Sequence, residues 1–165
     1  MRYLTIGLVL ICVGLVAFLV MRKRRSVLPG PGRQEIYALK LTDYAERLRG
    51  CAEEIGQPHS DVFWDMAGHA ERIRVEILDD HADLTQSRRF ISHHARIIVE
   101  LVEKFVTLNA KARPEHAGRL EAMVPQVHGY RDVFARVEKA LIDNDCAEIE
   151  ATMDALDVQL DRLSL

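Results

Sequence analysis

Cysteine is scarce in this sequence: three in 165 residues, with no CxxC pair. A disulfide framework and a paired-cysteine zinc or redox site are therefore excluded. HExxH is absent, which removes the zinc-protease reading. No glutamate has a histidine three residues later, which removes the carboxylate-bridged di-metal bundle. GxSxG and a glycine-rich phosphate loop are also missing. No stretch alternates apolar and polar residues for long enough to make a strand. Finally, residues 1–33 contain six Lys/Arg and no acid, so the rest of the chain holds 16 basic against 25 acidic side chains, a net of −9. A domain of that sign is unsuited to nucleic acid.

The sequence is 48% hydrophobic and 28% charged, with a net charge of −3. This suits one folded domain with a sizeable core and excludes a disordered chain. Tyr3 to Met21 is uncharged, and 12 of its 19 residues are Leu, Ile, Val or Phe. At 1.5 Å per residue it matches the hydrocarbon core of a bilayer, roughly 30 Å thick. It ends abruptly at Arg22, Lys23, Arg24 and Arg25. The length of the run, the large Phe18 and Met21 at its end and the basic cluster after it indicate an uncleaved anchor rather than a signal peptide. One arginine precedes the span and four basic residues follow it. The expected topology is therefore N-terminus outside and C-terminal domain cytoplasmic, in the inner membrane. The same four side chains are placed to meet the bilayer's anionic headgroups. Leu28-Pro29-Gly30-Pro31-Gly32 cannot continue a helix, so 1–21 reads as the anchor, 22–33 as a linker and 34–165 as the cytoplasmic domain.

Helical spacing recurs through that domain. Tyr37, Leu41, Tyr44, Leu48, Cys51 and Ile55 step by 4 and 3, predicting a helix over 34–55 that Gly56 and Pro58 stop. Ser60 or Asp61 is the expected cap of a second helix with the stripe Phe63, Met66, Ala70, Ile73, Ile77. A junction follows near 80–83. A third helix is expected over 84–112, striped by Ile91, His94, Ile98, Leu101, Phe105 and Leu108. Pro114 fits the first turn of a fourth, whose stripe Leu120, Met123, Val127, Tyr130, Phe134, Val137, Leu141 runs through Pro125 without a slip, so a kinked helix is expected there. Asp145 and Glu148 resemble a capping box for a last helix bearing Ile149, Met153, Leu156, Leu160 and Leu163. The fold class is all-α: one transmembrane helix plus an antiparallel bundle of about five helices.

Few residues are candidates for chemistry. Asp65 and His69 lie four apart on one helix face, as do Glu76 and Asp80; such pairs fit a metal but are also ordinary on a solvated face. His94 lies on the apolar stripe of its helix. The favoured reading is a core histidine hydrogen-bonded to a neighbour, against a buried base or ligand. His93 points elsewhere and is expected to be exposed. Arg88 and Arg89 are candidates for an anion or headgroup phosphate, against a solvated or salt-bridged pair. Cys51 sits on a core stripe, and the acids around Cys146 oppose thiolate formation. Residues 143–165 carry seven acids against Arg162 alone, which fits either a docking face for a protein partner or a solvated helix. No catalytic residue and no cofactor is assigned.

The stretch Asp83-Leu84-Thr85-Gln86-Ser87-Arg88-Arg89-Phe90-Ile91-Ser92-His93-His94, followed by Val102-Glu103-Lys104-Phe105-Val106-Thr107-Leu108, resembles the 5-bromo-4-chloroindolyl phosphate hydrolysis (XpaC-like) family. There, an R-R-F-L-x-Y-Y phrase precedes I-V-E-K-Y-x-x-L; here His93-His94 replaces the aromatic pair. Ala140-Leu141-Ile142, Asn144-Asp145 and the acidic helix after them also resemble the family's C-terminal end. The resemblance covers about residues 34–163. It implies a bacterial, often membrane-anchored helical protein associated with toxic-anion-resistance (TelA-like) proteins, and by the family's name phosphate-ester hydrolysis. A membrane-tethered interaction or regulatory protein is the first functional reading, and a phosphate-ester hydrolase the alternative.

Overall fold

The computed structural model describes residues 32–163 except Pro114 and His116. The expected anchor, Tyr3 to Met21, and the basic cluster Arg22 to Arg25 lie outside the described residues, as does Pro114. Among the described residues no helix is long and apolar enough to cross a membrane.

The described chain is helical, with no strand. Its elements are α1 (Arg33–Ile55), α2 (Ser60–Asp79), α3 (His81–Arg89), a π-helical segment (Phe90–His94), α4 (Ala95–Ala110), the short α5 (Ala117–Glu121), α6 (Val124–Ile142) and α7 (Cys146–Leu163). Since α3, the π segment and α4 follow without a break, there are five long helical rods, as expected.

The stripes account for the packing. Leu41, Tyr44, Leu48 and Cys51 of α1 are buried, and alanines 38, 45 and 52 widen the stripe so that α1 meets two neighbours. All five stripe residues of α2 are buried. Phe63, Phe90, Phe105 and Phe134 are almost wholly buried, and Phe90 and Phe134 meet edge to face at 5.1 Å. Each buried side chain of this size stabilises the fold by roughly 1.5–3 kcal/mol before entropy is counted. Burial raises the pKa of the Cys51 thiol to about 11, consistent with a small hydrophobe.

The arrangement differs from consecutive helices each beside the next. Helices α1 and α2 pair closely and run antiparallel: Gln34 reaches the carbonyl of Ile77, while Arg49 reaches Glu71. The other main neighbour of α2 is α6, and that of α1 is α4. Val62 and Val127 line one cavity, and His69 and Arg72 reach Glu138, so α2 and α6 run in the same sense. Tyr44 meets Ile91 and Arg47 meets Glu103, so α1 and the third rod do likewise. The junction explains this. After a single extended residue, Asp80, α3 packs against both α1 and α2 and sets the rod that follows beside α1. Asp80 also caps α3, accepting from the Ala82 N–H at 2.7 Å.

Several local expectations are corrected. The cap position of α2 is His59, without a side-chain bond; backbone closes the turn instead, from Ser60 N–H to the Gly56 carbonyl, with Gly56 at φ +63°. The third helix contains the π segment. Pro125 lies in the first turn of α6 rather than in a kink. A proline there forfeits no helical hydrogen bond, so the chain breaks at residues 122–123 and starts again. Leu108 and Met123, placed on stripes, are exposed beside this break. The Asp145 cap is present, its carboxylate accepting from the Glu148 N–H at 3.1 Å.

Candidate functional site

The third rod is where local structure departs most from the regular. In the π segment the Ala95 N–H bonds to the carbonyl of Phe90, five residues back, instead of that of Ile91. The Ile91 carbonyl accepts from the buried Tyr44 hydroxyl at 3.2 Å. Burial raises the Tyr44 pKa, keeping the hydroxyl a donor.

His93 and His94 end this segment. His94 is fully buried and His93 exposed, as expected, with the two rings edge to face at 5.1 Å. His94 Nε2 lies 2.7 Å from Asp157 Oδ1 of α7. A carboxylate can only accept, so Nε2 is the donor. Its Nδ1 is buried without a hydrogen-bond partner. Arg89, one turn earlier, pairs with Asp157 Oδ2 and reaches Asp154 at 3.3 Å. The hydrogen bond from His94, together with the Arg89 charge, holds the Asp157 carboxyl below the ordinary carboxylate range despite some desolvation.

The remaining candidates separate. Arg88 is exposed and makes no ion pair among the described residues. Asp65 is exposed, and His69 turns from it to Glu138 of α6. Arg72 donates to the other oxygen of Glu138 at 2.6 Å. Burial works against Glu138's charge, but the hydrogen bonds from Arg72 and His69 overcome it and lower the carboxyl's pKa. This trio ties α2 to α6 and commits His69 Nδ1 to Glu138. Asp80 of the Glu76–Asp80 pair is committed to its cap.

Sequence reasoning missed Asp157, Glu138 and Arg72. Asp157 borders the Leu156 stripe, and an acid at that edge facing a buried histidine was its only available signal. A groove of about 290 Å³ is lined by Leu108, Lys111, Ala112, Arg119, Leu120 and Met123, among which there is neither a nucleophile nor an acid. No family model matches the sequence, and neither a curated protein nor a solved structure matches the chain.

Proposed function

We propose that this chain is a membrane-tethered, cytoplasmic helical interaction or regulatory protein of the bacterial envelope. The observation that carries this reading is the uncharged run Tyr3 to Met21, closed by Arg22-Lys23-Arg24-Arg25. A single span with a basic inner flank positions one domain at the membrane face. That domain packs through Leu, Ile, Val and Phe, and a groove on it is mainly apolar with two cations at its edge. Such a surface suits a protein partner better than a phosphoryl transfer, which needs charge stabilisation and an activated nucleophile together. The resemblance to XpaC-like proteins supports the envelope setting and suggests TelA-like proteins as the partner class.

Membrane extraction tests the tether. The full chain should stay with the membrane through alkaline carbonate and leave it in detergent. A chain released by carbonate alone would refute a spanning anchor.

A further inference from the structure

Three polar clusters among the described residues are candidate sites. The His69–Glu138–Arg72 trio satisfies its own charges. Asp83 and Gln86 each bury an unpartnered oxygen, with nothing placed to act on it. The third cluster joins two elements and has the chemistry of a coordination site.

We propose that His93, His94 and Asp157 bind a divalent transition-metal ion of the zinc class, which fastens α7 to the π segment. One ligand atom from each residue lies within 4.8 Å of the others. Ligands at 2.0–2.2 Å from a zinc ion sit roughly 3–3.5 Å apart. His94 Nε2 and Asp157 Oδ1, hydrogen-bonded at 2.7 Å, must part slightly to admit the ion, while His93 closes on them. His93 is exposed, its ring edge to face with that of His94, and it provides the path of entry. Two imidazoles and one carboxylate favour zinc, nickel, copper or cobalt over calcium or magnesium, which prefer oxygen donors.

The surroundings fit this use. Asp157 offers Oδ1 to the ion while Oδ2 stays with Arg89, the outer hydrogen bond that orients a ligating carboxylate. Asp154 shares the Arg89 charge and tempers its repulsion of the ion. On coordination, the ion replaces the Nε2 proton and the neutral His94 ring carries its hydrogen on Nδ1. The inference stands independently of the membrane tether.

The test uses the full chain in detergent, tag-free, with Cys146→Ser to remove the exposed thiol. Calorimetric titration with Zn²⁺ after chelator treatment should give one ion per chain, and Co²⁺ should give a ligand-field absorption. Zinc should raise the Tm, and EDTA should reverse the rise. His93→Gln and Asp157→Asn should each weaken zinc binding by roughly tenfold or more. His93→Gln should leave the metal-free Tm unchanged, which separates ligation from folding. His81→Gln, at an exposed position of α3, should bind as the parent does. A parent chain that takes up no zinc, or a His93→Gln chain that binds it equally well, would overturn the assignment.

Discussion

The buried ring of His94 reaches out of the core to Asp157 of α7, Nε2 to Oδ1 at 2.7 Å, while its other nitrogen is buried without a partner. The site therefore combines good packing with incomplete hydrogen bonding. His94→Leu keeps the volume, removes the orphaned Nδ1 and leaves Asp157 with Arg89 and water. Its stability should lie within about 1 kcal/mol of the parent. His94→Ala empties the site and should cost about 2–4 kcal/mol. Urea unfolding distinguishes them; equal losses would mean that the polar contact, not packing, holds the helices together.

Asp83 should behave in the opposite way from Glu71, Glu103, Glu138 and Asp157. It is buried, one carboxylate oxygen is unpartnered, and desolvation raises its pKa, with the charges of Asp80, Glu76 and Asp79 adding to the effect. A carboxyl whose folded pKa exceeds its unfolded one favours folding at low pH and loses that contribution as pH rises through the folded value. Asp83→Asn should therefore raise the urea midpoint at pH 7. The advantage should disappear below about pH 3, where the unfolded-state carboxyl is also protonated. An unchanged midpoint at pH 7 would show that the charge is well solvated.

Glu103 represents the acids with the usual sign. Arg47 grips it through two bonds of 2.7 Å, joining α1 to α4, and these bonds lower its pKa despite desolvation. Glu71, Glu138 and Asp157 are likewise lowered. The stability they contribute is complete above the unfolded carboxylate range, near pH 4, and is lost as pH falls through the folded values. Glu103→Gln should cost about 0.5–1 kcal/mol at pH 7, since both side chains are partly solvated, and should flatten the acid limb of the stability–pH curve.

Topology has its own reporter. Cys146 is exposed at the start of α7 and Cys51 is buried. An impermeant maleimide applied to intact cells should leave Cys146 unlabelled and should label it after lysis. Labelling of intact cells would reverse the orientation. Neutralising Arg22, Lys23, Arg24 and Arg25 together should give mixed orientations.

The hydrolase alternative yields to an assay of the purified full chain with an aryl phosphate and Mg²⁺, Mn²⁺ or Zn²⁺. No turnover above buffer is expected. Metal-dependent turnover that vanishes on substituting His94, Asp65 or His69 would favour the hydrolase.

Helices α1 and α2 were legible almost to the residue, because their stripes are long and clean and Gly56 and Asp80 punctuate them. The π segment was not, since Ile91, His94 and Ile98 keep the 3-and-4 stepping that an unbroken helix would show. Pro125 misled for the same reason: the apolar phase continues from Leu120 to Val127 although the backbone restarts between them. His94 was correctly placed in the core. Its partner was not identified, because Asp157 lies 63 residues away and only the crossing of α7 over the π segment brings them together. The pairing of α2 with α6 was hidden too, being set by the turn of the chain at Asp80 rather than by any periodicity.

Helix α7 packs mainly on α6, with smaller contacts to α3 and the π segment. Sub-global opening starts where a helix shares the least surface with the rest. Amide protons of α7 should therefore exchange with solvent well before those of α1 and α2, and the bundle can breathe at its C-terminal edge while its centre stays closed.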